Sequence, residues 1–143
     1  MTAIAFHFNA PSKLAYACRL LRKASISGST VAVVCDESTL AMLDEQLWSF
    51  SALDFVPHGR AQMMSEQQRA LTPIWLCASA TEGQGRHVLV NLTQAVPAGF
   101  EGFERVIEVV STQEADRASA RVRWKQYTER GLEIVRHDLN LAS

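Results

Sequence analysis

Three cations and one indole lie close together in the segment that precedes Gly131. Arg117, Arg121, Trp124 and Lys125 follow one another at spacings of four, three and one residues. On a helix this spacing places all four side chains on one broad face. Guanidinium groups pair well with carboxylates, and an indole ring offers an apolar wall beside them. The segment therefore predicts a site for an acidic peptide. A plainer alternative is that these cations only complement the helix dipole.

Further arginines extend this feature into a positive stripe along the whole predicted helix. Arg123 and Arg130 add to the three cations, and few acidic residues follow Asp116. The 143-residue chain has 14 Lys and Arg against 15 Asp and Glu, which gives a formal net charge of −1. Duplex-binding domains usually carry a strong excess of cations. Direct nucleic-acid binding is therefore disfavoured, and the stripe is a local feature.

A second group of large side chains follows the second predicted helix. Three leucines already supply the buried stripe of this helix: Leu40, Leu43 and Leu47. Trp48 lies about 100° further round the helix, at the border between core and solvent. Phe55 follows in a segment that ends at Pro57, where a strand could not be central. Aromatic residues exposed near a loop are typical of protein interfaces. The alternative, that they cap the core, stays equally open for Trp48 and Phe55 and is favoured for Phe50 and Leu53.

The sequence lacks the common patterns of catalytic and metal sites. It contains no GxxxxGK[ST], GxSxG or HExxH motif, and its histidines have no metal-ligand spacing. The GxG at residues 82–86 lies between two predicted strands, so we interpret it as a turn and not as a dinucleotide fingerprint. His58 and His137 are either exposed functional residues or hydrogen-bonded loop residues. We expect no catalytic residue, no metal and no cofactor. A small Rossmann-like nucleotide-binding enzyme remains the alternative, because carboxylates can converge in space without sequence spacing.

The cysteines and the apolar runs bear on the cellular compartment. Cys18, Cys35 and Cys77 form no CxxC pair, and each lies in an apolar stretch. We expect them to be buried, reduced thiols, which favours a cytoplasmic protein. No apolar run is long enough to cross a bilayer, and the first residues do not resemble a signal peptide. The sequence therefore predicts no association with a membrane.

Alternating strand and helix patterns position these residues. Six runs are predicted to be strands: residues 2–8, 29–35, 74–79, 87–92, 105–110 and 132–137, the last at a sheet edge. One helix has Pro11 in its first turn and Gly28 as its stop, and a second follows Asp36 as a possible N-cap. Residues 57–73 are expected to be a loop or an irregular helix. The order predicts a single α/β domain over residues 1–143, with a Rossmann-like three-layer fold and a mostly parallel sheet between helices on both faces.

The last predicted helix has clear start and stop signals. Ser111 and Glu114 match the pattern of a capping box at its beginning. The helix could run to Arg130, with Gly131 as its C-cap. The cations and the indole would then lie on the final helix of the domain.

Two motifs resemble a known family. "LDEQLWSFSALDFVPHGR" at 43–60 closely resembles a segment of the chi subunit family of bacterial DNA polymerase III holoenzyme, which carries L-D-E-x-L-W and, after a short spacer, F-x-P-H. "RVRWKQYTERG" at 121–131 is similar to a second family signature, an Arg-rich helix with an aromatic-Lys-x-Tyr run before a glycine. The order of strands and helices also matches over essentially the full length.

The resemblance implies a non-enzymatic bridging protein, an accessory subunit of the clamp-loader complex in DNA replication. Members bind the acidic C-terminal tail of single-stranded-DNA-binding protein and contact DNA only indirectly. They also bind the psi subunit, which links chi to the clamp loader, and in some bacteria a repair helicase uses the same surface. The resemblance assigns tail binding to Val110, Arg117, Arg121, Trp124 and Lys125, and the psi or helicase surface to Trp48 and Phe55.

Overall fold

A seven-stranded sheet forms the centre of the computed structural model, which describes residues 2–49 and 56–140. The strands are Ala3–Ala10 (β1), Val31–Val34 (β2), His58–Arg60 (β3), Ile74–Cys77 (β4), Val88–Asn91 (β5), Arg105–Ser111 (β6) and Ile134–Asp138 (β7). The helices are Lys13–Ile26 (α1), Glu37–Ser49 (α2), Glu66–Leu71 (α3) and Glu114–Glu129 (α4). Short 3-10 turns occupy Ala61–Met63, Ala80–Gly83 and Phe100–Gly102.

The strands are all parallel and follow the order β3-β4-β2-β5-β6-β1-β7. The central strands β2 and β4 are buried throughout, as the near-continuous apolar runs "VAVV" and "IWLC" require of strands covered on both faces. β3 and β7 form the two edges. The predicted parallel sheet and the edge position of the last strand are confirmed.

Helices cover both faces of the sheet, which confirms the predicted three-layer arrangement. Along β2, Val31 and Val33 point into a core that contains the buried stripes of α1 and α2. Ala32 and Val34 alternate with them and point into the other core, beneath α4. The three cysteines are buried and reduced within these cores, as expected. None of the helices in the described ranges is both long and apolar enough to span a membrane.

The start of α4 differs from the sequence prediction. Ser111 is the last residue of β6, and α4 begins at Glu114 with Gln113 as an N-cap that makes no side-chain hydrogen bond. The predicted capping box at Ser111 and Glu114 is therefore wrong. The reason is that β6 stays paired with β1 up to the register Ala10↔Ser111, so Ser111 belongs to the sheet ladder.

Residues 57–73 contain more regular structure than the sequence indicated. β3 pairs with β4 from His58↔Ile74 onward, and α3 begins at a capping box formed by Ser65 and Gln68. The three residues of β3 show no apolar alternation. An edge strand this short forms because its backbone pairs with β4. None of the residues of α3 is buried, which explains why no apolar period marks this helix.

Of the other signals at the helix ends, those of Asp36 and Gly28 are confirmed and that of Pro11 is not. The Asp36 carboxylate accepts a hydrogen bond from the backbone N–H of Thr39 at 2.8 Å and so caps α2. Gly28 follows α1 with a φ of 81°, in the left-handed region that ends many helices. The prediction that Pro11 lies in the first turn of α1 is wrong. The Ser12 side chain accepts a hydrogen bond from the Ala15 N–H and so caps the helix, which places Pro11 before the cap. The chain therefore leaves β1 through a capped turn and not through a glycine-rich loop.

Candidate functional site

A cleft of about 400 Å³ opens beside α4, above the carboxyl-terminal halves of β1, β6 and β7. Its apolar lining is formed by Phe6, Phe8, Val110, Ala120 and Trp124. Its polar lining is formed by Asn9, Arg117, Arg121 and Arg136. Ligands of open parallel sheets bind outside the carboxyl ends of the strands. The cleft occupies that part of the fold and combines an apolar floor with three guanidinium groups.

Most of the residues predicted for an acidic-peptide site converge in this cleft. Val110 is 3% exposed and forms part of the floor, while Arg117 and Arg121 extend from the exposed face of α4. Trp124 is half-buried between helix and sheet. Lys125 is exposed and lies outside the lining. The next residue along a helix lies about 100° further round, so Lys125 is turned away from the floor that Trp124 contacts.

The predicted positive stripe is narrower than the sequence indicated. Arg123 is 1% exposed, and its Nε lies 3.0 Å from Oε1 of Glu108. Two residues after Arg121, Arg123 lies about 200° round the helix and therefore faces the sheet. Its inclusion in an exposed stripe is wrong. Arg130 lies at the end of α4, where its guanidinium stacks 5.1 Å from the Phe100 ring centroid and contacts Glu101 at 3.7 Å.

A buried polar network fixes α4 against the sheet. Oε2 of Glu108 accepts hydrogen bonds from Asn91 Nδ2 at 2.9 Å and from the Tyr127 hydroxyl at 2.8 Å, and Oε1 accepts from Arg123. Burial raises the pKa of Glu108, while the Arg123 guanidinium and these hydrogen bonds oppose that shift. The network joins β5, β6 and α4, and so it sets the distance between the helix wall of the cleft and its floor.

Asp116 anchors the first turn of α4. Its carboxylate accepts hydrogen bonds from the backbone N–H of Ser111 at 2.7 Å, from Gln94 Nε2 at 3.0 Å and from Lys13 Nζ at 3.0 Å. Burial alone raises the pKa of Asp116, but these three donors outweigh it and lower the pKa to about 2. The carboxylate therefore stays ionised at neutral pH. It holds the helix turn that carries Arg117 close to the end of β6.

Aromatic rings and Arg136 build the opposite side of the cleft. The Trp124 ring centroid lies 5.1 Å from that of Phe6, beneath the helix. The guanidinium of Arg136 on β7 lies 5.4 Å from the Phe8 centroid and 6.0 Å from the Trp124 centroid. Asn9, at a left-handed φ of 66°, donates from Nδ2 to Asp138 Oδ1 at 2.9 Å and so links β1 with β7.

Sequence reasoning missed Arg136, although the sequence contained a signal for it. Residues of a strand alternate between the two faces of a sheet, so Arg136 shares a face with Ile134. Ile134 packs against the core beneath α4. If β7 is known to pair with β1, the alternation of side chains along the strand predicts that Arg136 faces the cleft. That placement required the strand order, which single-sequence patterns do not supply.

Arg121 is paired within its own helix. Its Nη1 and Nη2 donate to Glu114 Oε1 at 3.3 and 3.4 Å. The two side chains are 63% and 73% exposed, so water screens the ion pair and it contributes little to the stability of the fold. A ligand carboxylate could therefore replace Glu114 as the partner of Arg121 at little cost.

The aromatic surface predicted near residue 48 is described only in part. Trp48 is 62% exposed at the end of α2, which rules out the core alternative for this residue. Its ring centroid lies 5.1 Å from that of His58. Phe55, together with Phe50 and Leu53, lies outside the described residues. The description of this surface therefore rests on Trp48 and on the residues behind it.

His58 supports Trp48 from below and is not an exposed functional group. Its side chain is fully buried, with Nε2 2.9 Å from Asp44 Oδ1 and Nδ1 2.6 Å from the Val56 carbonyl oxygen. Asp44 also accepts a hydrogen bond from Arg60 Nε at 3.2 Å. These contacts join α2 to the edge strand β3. Of the two readings left open for His58, the hydrogen-bonded one is correct, although the residue lies in a strand.

The parts of the chain that the structure describes contain neither a cluster of metal ligands nor a helix that begins at the GxG. Among residues 2–49 and 56–140, no three or more His, Cys, Asp or Glu side chains group so that they could hold a metal ion. The GxG of residues 82–86 lies where the turn Ala80–Gly83 ends, and Gly85 has a φ of 99°. It is a turn, as the sequence predicted.

The topology and the cleft define a Rossmann-like α/β protein with a basic, apolar-floored groove on its last helix. The family model described as DNA polymerase III chi subunit, HolC, matches residues 1–135. The chain therefore belongs to the DNA polymerase III chi subunit family, as the two motifs indicated.

Individual relatives agree with this assignment. The chain is 36% identical over 129 residues to DNA polymerase III subunit chi of Pseudomonas aeruginosa, with 90% of this chain and 87% of that protein covered. It is 30% identical over 116 residues to the Haemophilus influenzae subunit, covering 80% and 79% of the two chains. The Escherichia coli subunit is 28% identical over 119 residues, covering 82% and 79%.

A solved structure of similar fold comes from a different kind of protein. The C-terminal domain of the DEAD-box protein Dbp5 matches with a TM-score of 0.57, covering 98% of this chain and 91% of that one. The sequence identity is 12%, so this likeness concerns the fold alone.

Proposed function

We propose that this chain is a non-catalytic accessory subunit of the replicative polymerase, located in the cytoplasm. In this role it bridges the acidic C-terminal tail of single-stranded-DNA-binding protein to the psi subunit and the clamp loader during DNA replication. The convergence of Val110, Arg117, Arg121 and Trp124 in one cleft is the observation that supports the proposal most strongly. Membership of the chi subunit family supports the replicative setting.

The chemistry of the cleft fits a peptide that ends in an apolar residue. A terminal apolar side chain would bury against Phe6 and Val110 on the floor and Ala120 on the helix wall. The free carboxylate next to it would accept charge-assisted hydrogen bonds from Arg121, and Arg117 would attract acidic residues further upstream. Lys125, outside the lining, would add long-range attraction only.

A tail of this kind would bind weakly on its own. A disordered peptide loses conformational entropy when it docks, so we expect a dissociation constant on the order of micromolar. A single-stranded-DNA-binding protein with several tails would compensate for this weak affinity through avidity, because a second tail is close to the cleft when the first one dissociates. DNA would be held by that partner and not by this chain, whose formal net charge is −1.

A separate partner would bind at Trp48. We assign Trp48, whose indole is exposed, and Phe55, seven residues later in the sequence, to the surface for psi or a repair helicase. Large exposed aromatic side chains supply much of the binding energy at protein interfaces. The buried His58 and its partner Asp44 support the indole from beneath and would keep it in place before a partner arrives.

The proposal can be tested with whole proteins. We would mix this chain with full-length single-stranded-DNA-binding protein loaded on single-stranded DNA, and with the same protein lacking its acidic tail. The chain should co-sediment with the first complex and not with the second. Equal co-sedimentation with both would contradict tail capture, and binding to bare single-stranded DNA would contradict the indirect contact with DNA.

A further inference from the structure

Arg136 lies in the same cleft on the side opposite the helix cations. It belongs to the edge strand β7, whereas Arg117 and Arg121 belong to α4. Its guanidinium stacks on both Phe8 and Trp124, at 5.4 and 6.0 Å from the ring centroids. Cation–π contact with the two rings favours a guanidinium at this place in the cleft.

Arg136 also differs from Arg121 in its electrostatic setting. Arg121 shares its charge with Glu114 at 3.3 Å, whereas Arg136 forms no ion pair within the ranges 2–49 and 56–140. Asp138, two residues further along β7, receives a hydrogen bond from Asn9. A guanidinium that lines an open cleft and has no carboxylate partner among the described residues is available to bind an anion.

We infer that Arg136 is a second anion-binding residue of the cleft, which pairs with a side-chain carboxylate of the bound peptide. The inference rests on the proposed capture of an acidic tail. Arg121 and Arg136 extend from different walls, with Trp124 between helix and sheet. A terminal carboxylate that pairs with Arg121 on the helix leaves Arg136 on the strand available for a second anion. The acidic side chains before the terminal residue supply it.

This arrangement makes Arg136 a residue that determines specificity. A peptide with an apolar end but without acidic side chains would satisfy the floor and Arg121 and leave Arg136 unpaired. A peptide with both features would bridge the two walls. The cleft would therefore select for acidic residues close to the end of the tail and not for net charge alone.

The test compares two arginines that both stack on aromatic rings. Arg136→Met keeps an apolar stem over Phe8 and Trp124 but removes the charge, and Arg130→Met does the same over Phe100, outside the cleft. Binding is measured by fluorescence anisotropy with three labelled peptides. The first is the acidic tail of single-stranded-DNA-binding protein, the second has an amidated end, and the third has amides in place of its acidic side chains.

We expect Arg136→Met to weaken binding of the natural tail peptide roughly 5- to 10-fold, the effect of losing one hydrogen bond of ordinary net strength at an exposed site. A similar loss should appear with the amidated peptide, and less than about a 2-fold loss with the peptide of neutral side chains. Arg130→Met should leave all three affinities unchanged. Should Arg136→Met not fold, Arg136→Lys keeps the charge but lacks the planar fork, and it should lose roughly 2- to 3-fold with the same dependence on peptide.

Several outcomes would overturn the inference. Equal affinities of Arg136→Met and Arg130→Met for the natural tail would remove Arg136 from the site while tail capture stands. A loss that disappears with the amidated peptide would assign Arg136 to the terminal carboxylate. If the unaltered protein fails to bind the natural tail, the proposed function fails and the role of Arg136 fails with it.

Discussion

Arg123 Nε lies 3.0 Å from Glu108 Oε1, and the two side chains are 1% and 0% exposed. This ion pair crosses from α4 to β6 and joins Asn91 and Tyr127 in one network. Since the floor of the cleft belongs to the sheet and one wall belongs to the helix, the pair determines how the two are arranged. Arg123 therefore adds almost nothing to the exposed charge of α4, but it holds the helix against the sheet.

Removal of one partner of this pair should destabilise the fold strongly. Arg123→Met leaves the Glu108 carboxylate buried without its cation, so we expect the free energy of unfolding to fall by about 3–5 kcal/mol. Urea denaturation followed by circular dichroism would measure it. Arg130→Met, at an exposed ion pair, should change it by less than about 1 kcal/mol. Similar values for the two variants would show that the buried pair does not anchor α4.

The stability of the chain should depend on Asp116 at acidic pH. The pKa of this carboxyl is about 2 in the folded protein and 3.8 in its ordinary state. A carboxyl with a lowered pKa stabilises the fold above its ordinary pKa, and this contribution is lost as the pH falls from about 4 to about 2. The difference corresponds to about 2 kcal/mol.

Asp116→Asn provides the test of this dependence. The variant should lose about 2 kcal/mol of unfolding free energy at pH 7 and should show a weaker dependence on pH between 4 and 2. Urea denaturation at several pH values would measure both effects. A variant whose stability follows that of the unaltered protein across this range would contradict the role of Asp116 as the anchor of the first turn of α4.

Glu114 should compete with the tail for Arg121. Because the Glu114 carboxylate is the present partner of that guanidinium, Glu114→Gln should increase affinity for the tail peptide about 2- to 4-fold at low salt. Salt screens exposed charges, so the gain should shrink as the ionic strength rises. Anisotropy titrations at two salt concentrations would measure it. A lower affinity of the variant would indicate that Glu114 positions Arg121 for binding and does not compete.

Trp48 should serve a partner and not the fold. Trp48→Ala removes a side chain that is 62% exposed, so thermal unfolding should shift little. Binding of the tail peptide should also be unaffected, because the cleft lies beside α4. Co-purification from cells should lose one partner protein. A variant that unfolds globally, or one that retains all its partners, would contradict the assignment of this surface.

Much of the fold was predictable because its signals are local. β2 and β4 follow from continuous apolar runs, and α2 follows from the helical spacing of its buried leucines. β3 was not predictable, since three residues pair with β4 without a pattern of their own. The capping box at Ser111 was predicted wrongly because pairing between strands extended β6 past the point where local signals placed the helix.

Helical spacing predicted the helix side of the candidate site, and the family resemblance added Val110 on β6. Helical spacing brought Arg117, Arg121 and Trp124 together, and those three side chains do line one cleft. The same spacing could not show that Arg123 faces a buried carboxylate, because Glu108 lies on a strand 15 residues earlier. Arg136 required knowledge of the strand order. The burial of Arg123 and the place of Arg136 in the cleft therefore depend on contacts between segments that are distant in the sequence.

The most direct test of tail capture concerns Arg121. We would measure binding of a labelled tail peptide from single-stranded-DNA-binding protein to Arg121→Ala by fluorescence anisotropy at low salt. Arg130→Ala, at the C-cap of the same helix and outside the cleft, serves as the matched control. We predict that Arg121→Ala loses most of the binding, at least about 10-fold, while the control binds as the unaltered protein does. Unchanged affinity of a folded Arg121→Ala variant would contradict the account.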